Sequence, residues 1–246
     1  MKKTEALKAQ YDRDGIVCLD YFDPPALSDY REYMQGKISK TFPDAGDMEQ
    51  LDGKLWSGMF RAFGFTPHIN EMICRLFTLP FCAFGITDPV VCNLPNLKIH
   101  FPNNSNHALT AHQDFPSHHC SMNAITVWIP LQDSSPDSGS IKYLRGSHQR
   151  SVIPSRGGLM LDAPDDADFE SIDVSLGQCL IFSQMLIHQS GKNTTNYPVF
   201  NCQIRFADFS DREWRERKFE SAERRVRDHK DHDANTNIEQ NAMVSP

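Results

Sequence analysis

The chain has 246 residues, enough for one or two domains, and its 39% hydrophobic content with 16 Phe residues excludes global disorder. The net charge of −7 argues against general binding to nucleic acid or to an anionic membrane, which would need a basic face. No apolar run reaches the roughly 18 residues of a membrane span, and no apolar secretion signal follows Met1. We therefore expect a cytoplasmic protein, either a monomer or a homodimer, with no nucleic-acid or membrane partner.

The N-terminal part of the chain, about residues 1–95, has mainly helical patterns. Hydrophobic spacing and helix-start signals predict helices over residues 4–11, residues 24–35 and a segment that opens at Thr66. A short strand is expected over residues 15–20. Residues 43–65 are rich in Gly, Asp, Phe and Met, and we interpret them as a loop over a pocket.

From about residue 96 the hydrophobic period becomes that of β-strands. The candidate strands span residues 97–101, 123–131, 140–144, 151–154, 172–174, 178–182 and 200–209. Many short strands separated by turn residues predict a β-sandwich or barrel over about residues 96–210. Residues 211–246 are densely charged and then polar, which is typical of an exposed helix followed by a frayed tail.

Histidines and a carboxylate form the most informative pattern in the sequence. His112 and Asp114 form a His-x-Asp motif, and on a strand the two side chains would face the same side. His188 ends a second apolar run. The seven cysteines contain no CxxC pair, so a disulfide framework or a thiolate zinc site is not expected. A second His-x-Asp, at His229, lies in the charged C-terminal segment without an apolar shell and is treated as unrelated.

These residue types point to an iron site with a charged neighbour. Two histidines and one carboxylate make the facial triad of non-haem Fe(II) oxygenases, which keeps coordination positions open for other ligands. Arg205 lies within the apolar strand candidate 200–209. A buried arginine is costly unless it binds an anion, and a guanidinium can hold a carboxylate through two hydrogen bonds.

An ordered series of motifs resembles the phytanoyl-CoA dioxygenase-like family of Fe(II)/2-oxoglutarate oxygenases. The matching segments are His112-Gln-Asp-Phe115, residues 124–132, Ser138-Gly139, residues 146–148, residues 177–182 and His188-Gln-Ser-Gly191, with residues 11–17 as the opening. The resemblance covers about residues 8–209. It implies a mainly β fold with flanking α-helices and a double-stranded β-helix (jelly-roll) core, within a single dioxygenase domain over residues 1–210.

The resemblance also implies an activity. His112, Asp114 and His188 would bind Fe(II) as the catalytic centre, and 2-oxoglutarate would chelate that iron as co-substrate. Together with O2, this chemistry removes hydrogen from a C–H bond of a small-molecule substrate and releases succinate and CO2. A carboxylate at position 114 favours hydroxylation over halogenation, because related halogenases have a small residue there. Desaturation, epimerisation and ring formation are further outcomes of the same chemistry.

Co-substrate residues are expected around this centre. Ser190 resembles the family's hydroxyl contact to the co-substrate carboxylate. The family often places its co-substrate arginine where Val199 stands here, and Arg205 lies an even number of residues further on, so the same strand face is reachable. Arg205 is therefore assigned to 2-oxoglutarate, with a structural salt bridge as the alternative.

Other candidates have two interpretations each. Trp128 either packs in the core or lines the co-substrate pocket, and Lys98 and His100 either reach the co-substrate or lie on the strand surface. Three further candidates lie near the metal motif: Gln113, Phe115 and Asn123. Each either contacts the substrate or is an ordinary loop residue. The alternative function is a jelly-roll metal-binding protein or non-redox metalloenzyme without 2-oxoglutarate turnover.

Overall fold

The computed structural model describes residues 2–41, 66–92, 95–102, 109–156 and 158–217. Five α-helices lie in these segments: α1 (Lys2–Asp14), α2 (Pro24–Thr41), α3 (Pro67–Leu76), α4 (Phe115–His118) and α5 (Arg212–Arg217). Residues 43–65, predicted as a loop, lie outside the described residues, as do residues 218–246 of the predicted charged helix and tail. None of the described helices combines the length and the hydrophobicity needed to cross a membrane.

The described strands form two main antiparallel sheets and a hairpin. They are β1 (Ile16–Asp20), β2 (Pro89–Val91), β3 (Asn96–His100), β4 (Ile125–Pro130), β5 (Ile141–Tyr143), β6 (Ser155–Arg156), β7 (Leu159–Met160), β8 (Glu170–Ser171), β9 (Gln178–Ser183), β10 (His188–Ser190) and β11 (Val199–Asp208). The larger sheet has the order β1-β9-β4-β11-β2, with β3 also paired to β11, and the smaller has the order β10-β5-β8. Strands β6 and β7 pair as a hairpin.

Strands β4, β9 and β11 of the larger sheet are buried on both faces, which is why β4 and β9 are nearly continuous apolar runs. On β11, Cys202, Ile204 and Phe206 point to the face covered by the helices. The opposite face of the sheet packs on the smaller sheet through a cluster that includes Trp128, Phe182 and Tyr143. Two facing antiparallel sheets with helices outside them confirm the predicted mainly β, jelly-roll architecture.

Helices α1, α2 and α3 cover the outer face of the larger sheet. Tyr11 of α1, Tyr30 and Met34 of α2, and Ile69 of α3 belong to the same buried cluster as the outward-facing residues of β4, β9 and β11. Thr66 caps α3, because its hydroxyl accepts a hydrogen bond from the N–H of Ile69 at 3.2 Å. This confirms Thr66 as the opening of that helix.

Two strand predictions were wrong. Residues 151–154 have no regular structure, and the hairpin strands follow them at β6 and β7. Residues 172–174 follow β8, and Val174 makes only an isolated bridge to Ser134. Short strands carry too few residues for an alternation to be recognised, and their pairing is decided by distant partners.

The carboxylate of Asp208 ties the end of β11 to two distant segments. It accepts hydrogen bonds from the backbone N–H groups of Thr87 and Asp88 at 3.1 and 3.0 Å, from the Asn123 amide at 3.1 Å and from the Ser210 hydroxyl at 2.7 Å. Burial alone would raise the pKa of Asp208, but these hydrogen bonds hold its pKa well below the usual range.

Asp208→Asn should therefore destabilise the fold. We expect the free energy of unfolding at pH 7 to fall by roughly 1–3 kcal/mol. The new amide NH2 group would face the hydrogen-bond donors that now surround the carboxylate, and it cannot accept from them. A carboxyl with a lowered folded-state pKa stabilises the fold above its unfolded pKa of about 3.9 and loses this contribution at more acidic pH. In urea denaturation, the difference in the free energy of unfolding between the variant and the wild type should therefore be smaller at pH 2.5 than at pH 5. Asp173→Asn, at an exposed position, is the control; equal losses at both pH values would contradict the account.

Candidate metal centre and co-substrate pocket

Backbone pairing places His112 directly opposite His188. Each residue donates its N–H to the carbonyl oxygen of the other, at 2.9 and 3.0 Å, as an isolated antiparallel bridge. Residues paired in this way project their side chains to the same face of the sheet. The two imidazole rings accordingly lie with their centroids 4.2 Å apart.

Both imidazoles present the same nitrogen to the site. Nδ1 of His112 lies 2.7 Å from the Thr110 carbonyl oxygen, and Nδ1 of His188 lies 3.0 Å from the Leu186 carbonyl oxygen. A carbonyl oxygen can only accept, so Nδ1 carries the proton and donates in each ring. The lone pair of Nε2 is then available to a metal, an arrangement typical of metal-binding histidines.

Asp114 reaches the site from a helix start, which corrects the predicted strand. His112 makes the last sheet contact of the motif, and the chain then turns, with Asp114 in the right-handed helical region (φ −69°, ψ −32°) at the N-terminus of α4. The same-face argument for a strand was therefore wrong in mechanism. The convergence of the two side chains comes from the turn.

The two carboxylate oxygens of Asp114 have different surroundings. Oδ1 lies 3.7 Å from Nε2 of His112 and 4.0 Å from Nε2 of His188. Oδ2 accepts a hydrogen bond from the Thr126 hydroxyl at 2.6 Å and from Arg205 Nε at 3.3 Å. One oxygen thus faces the imidazoles, and the other is held by the strands behind it.

Electrostatics keep these three groups in the forms that bind metals. Burial, followed by the nearby His188, lowers the pKa of His112 to about 3, and burial also lowers the pKa of His188. Burial would raise the pKa of Asp114, but Arg205 and the neighbouring histidines bring that pKa well below its usual range. At neutral pH the site therefore holds two neutral imidazoles and one carboxylate.

The donor set fits a divalent iron. One ligand atom from each of His112, Asp114 and His188 lies within 4.8 Å of the others, and all three residues are buried. Two imidazole nitrogens and one carboxylate oxygen on one side of a metal are the donors of the Fe(II) facial triad. His118 is a further buried neighbour, with Nε2 3.8 Å from Oδ1 of Asp114, and burial lowers its pKa to about 3.

A cavity of about 320 Å³, which includes the solvent at its mouth, opens beside the triad. Its lining among the described residues comprises Lys98, His100, His112, Trp128, Gly139, Ile141, His188, Gln189, Ser190 and Gln203. Four residues predicted around the co-substrate are therefore in the cavity wall: Lys98, His100, Trp128 and Ser190. Trp128 also packs between the sheets, so it belongs to the core and lines the cavity at the same time.

One residue of the cavity wall, Gly139, has no room for a side chain. Gly139 has φ +83°, and a Cβ there would lie 3.0 Å from Nδ1 of His100. A side chain at position 139 would be strained and would press on the cavity wall. Steric constraints therefore explain the glycine of the Ser138-Gly139 motif.

Arg205 is not placed as its assignment to 2-oxoglutarate expected. Its side chain is 6% exposed, and its guanidinium contacts Oδ2 of Asp114 and Oε1 of Gln203, the latter at 3.0 Å. It is not among the described residues that line the cavity. The alternative of a structural ion pair describes its surroundings better.

The three substrate candidates, Gln113, Phe115 and Asn123, are also not among the described residues that line the cavity. The Gln113 amide donates to the Met185 carbonyl at 2.8 Å and accepts from the Ile153 N–H at 2.9 Å. Asn123 donates to Gly85 and Asp208, at the end of β11. Phe115 is buried in α4. Contact of these three residues with a substrate stays a prediction.

Two residues of the site were missed in the sequence. Thr126 and Gln203 lie on the inner faces of β4 and β11, where Thr126 pairs with Arg205 and Gln203 pairs with Trp128 in the strand register. Alternation from Arg205 would have placed Gln203 on the same face, two residues away. The role of Thr126 depends on where Asp114 turns, which no local pattern shows.

Residues 83–198 match the model of the phytanoyl-CoA dioxygenase (PhyH) family. This part of the chain is similar to that family. The match includes the three triad residues, the Ser138-Gly139 turn and Ser190, and it confirms the resemblance found in the sequence. Lys98 and His100 are also within it, whereas Arg205 lies beyond its end.

A curated relative is similar in sequence, and solved structures show the same fold. The chain is 27% identical over 123 residues to a methylphosphonate hydroxylase from Gimesia maris, over 49% of this chain and 46% of that protein, so it spans about half the length of this curated relative. The apo structure of the non-heme monooxygenase ThoJ matches with a TM-score of 0.63 at 20% identity, over 82% of this chain and 77% of that one. EctD from S. alaskensis, solved with 2-oxoglutarate and 5-hydroxyectoine, matches with a TM-score of 0.59 at 18% identity, over 84% and 77%.

Removing one triad ligand should abolish metal-linked stabilisation. Fe(II) that binds only the folded chain raises its melting temperature in proportion to the logarithm of the metal concentration over Kd. We expect His112→Ala to lose this shift in an anaerobic thermal melt with Fe(II). His229→Ala changes the other His-x-Asp motif and should keep the shift. A shift lost in His229→Ala and retained in His112→Ala would place the metal elsewhere.

The hydroxyl behind Asp114 should matter for metal affinity. Thr126→Val keeps the side-chain shape but removes the donor to Oδ2, so Asp114 is oriented less firmly. We expect Fe(II) affinity to fall roughly tenfold, the lower end of what outer hydrogen bonds contribute to metal sites. Thr126→Ser keeps the hydroxyl and should remain within a few-fold of wild type in competition titrations against a coloured chelator. Equal affinity for both variants would show that this hydrogen bond does not position the ligand.

Proposed function

We propose that this chain is an Fe(II)- and 2-oxoglutarate-dependent dioxygenase that hydroxylates an unactivated C–H bond of a small-molecule substrate. The observation that carries the proposal is the convergence of His112, Asp114 and His188, in their metal-binding protonation states, beside a cavity. The match of residues 83–198 to the phytanoyl-CoA dioxygenase family supports the same chemistry.

Three residues would hold the iron in this proposal: His112 and His188 through Nε2, and Asp114 through Oδ1. Three protein ligands leave the remaining positions for the 2-oxo acid end of 2-oxoglutarate and for O2. The bound iron supplies the reductive activation of O2. In the net reaction, R–H, O2 and 2-oxoglutarate give R–OH, succinate and CO2, so one oxygen atom enters the product and the other enters succinate.

The protein groups around the metal would orient these reactants. Phe182 packs against His188 with ring centroids 4.7 Å apart, which limits the rotation of that ligand. The Ser190 hydroxyl accepts a hydrogen bond from the Leu109 N–H at 3.2 Å, and its own proton can be donated to an anion in the cavity. Trp128 would contribute an apolar wall to the cavity.

The carboxylate at position 114 also supports hydroxylation over halogenation. Its Oδ2 is hydrogen-bonded and its Oδ1 faces the histidines, so the residue is built to fill a coordination position. A halide would need that position. The curated relative is named a methylphosphonate hydroxylase, so small organic phosphonates belong in the first substrate panel, beside amino acids and other small metabolites.

Turnover of 2-oxoglutarate tests the proposal directly. Oxygenases of this type decarboxylate 2-oxoglutarate slowly without their substrate, so purified protein with Fe(II), ascorbate and O2 should release succinate. We expect His188→Ala to lower this rate to background, since the metal loses one of three ligands, while Gln149→Ala, a change at the surface, should leave it unaltered. If wild-type protein binds Fe(II) but makes no succinate with any substrate of the panel, the chain is a non-redox metal-binding protein.

A further inference from the structure

Asp114 and Arg205 form a buried ion pair behind the metal-binding face of the carboxylate. Arg205 Nε lies 3.3 Å from Oδ2 of Asp114, and both side chains are about 5% exposed. Removing either partner would leave a buried charge uncompensated. A guanidinium in this position neutralises the metal ligand from behind, and Gln203 occupies its Nη2.

Lys98 lines the cavity from β3, whereas Arg205 lies on β11. It lies on β3 opposite Asn201 of β11, four residues from Arg205 along that strand, which corresponds to about 13 Å of strand. Leu97 and Ile99 point to the helix-covered core, so alternation directs Lys98 and His100 to the inner face. Among the described residues of the lining, Lys98 alone carries a permanent positive charge.

The shape of 2-oxoglutarate separates its two anionic ends. Three carbon–carbon bonds of about 1.5 Å place the distal carboxyl carbon about 4 Å beyond the chelating carbonyl carbon. The partner of that carboxylate must therefore line the cavity beside the metal. Lys98 and Ser190 meet this condition, and both are in the same wall as His188 and Gln203.

We propose that Lys98, together with the Ser190 hydroxyl, binds the distal carboxylate of 2-oxoglutarate, and that Arg205 is a positioning residue that holds Asp114. This assignment rests on the proposed function, since it concerns the same site. It separates two roles that the sequence had combined in Arg205.

Two 2-oxo acids distinguish the roles. 2-Oxoglutarate and 2-oxobutyrate share the chelating end, and only the first has a distal carboxylate. Binding of each to Fe(II)-loaded protein is measured by anaerobic calorimetry. Lys98→Ala should weaken 2-oxoglutarate roughly tenfold to a hundredfold, the worth of a charge-assisted hydrogen bond, and leave 2-oxobutyrate and Fe(II) nearly unchanged. Lys142→Ala removes a lysine on β5 that pairs with Asp166 and is the matched control.

Arg205 should show the opposite pattern. Arg205→Gln is expected to weaken the binding of Fe(II), and therefore the binding of both 2-oxo acids to the same extent. The preference for 2-oxoglutarate over 2-oxobutyrate should be unchanged. Arg205→Lys keeps the charge and should recover part of the Fe(II) affinity, which a purely steric role would not predict. The Lys98 comparison stands alone if the buried arginine variants do not fold.

Three outcomes overturn the inference or its basis, and they differ from one another. If Arg205→Gln, and not Lys98→Ala, removes the preference for 2-oxoglutarate, Arg205 is the anchor and the inference is wrong. Wild-type protein that binds both 2-oxo acids equally would also overturn it, while the proposed function would stand. Fe(II)-loaded wild type that binds neither acid would refute the proposed function itself.

Discussion

The buried carboxylate of Asp114 is the constraint on which the site depends. A carboxylate side chain that is 5% exposed is costly to bury unless neighbours compensate its charge. Thr126 and Arg205 stabilise one oxygen from the larger sheet, and the other oxygen faces His112 and His188 from the smaller sheet. A divalent cation between these side chains would complete the compensation, so metal binding and the packing of the two sheets depend on each other.

Double-sided burial of the larger sheet provides the rigid frame for this arrangement. The helices cover its outer face, which leaves the inner face of β4 and β11 free to present Thr126, Trp128, Gln203 and Arg205 in register. The bridge between His112 and His188 sets the opposing wall. Functional side chains on paired strands are placed more accurately than side chains on loops, which suits a site that must hold a metal and a chelating acid together.

Much of this could be predicted from the sequence, because the long strands and the triad carry strong local signals. The alternation in β11 and the apolar runs of β4 and β9 showed the larger sheet, and the order of motifs showed the triad. The turn at Asp114 could not be predicted, since a His-x-Asp pattern is compatible with a strand and with a helix start. The role of Arg205 stays a prediction for a related reason: a buried arginine indicates an anion, but the sequence does not say whether that anion is a ligand or a neighbouring Asp.

The central claim is that 2-oxoglutarate chelates an iron held by His112, Asp114 and His188. Its most direct test is visible absorption spectroscopy of the anaerobic protein, titrated first with Fe(II) and then with 2-oxoglutarate. The account predicts a weak charge-transfer band that appears only when both are present and saturates at one equivalent of iron. Iron that binds at one equivalent without any band after excess 2-oxoglutarate would contradict it.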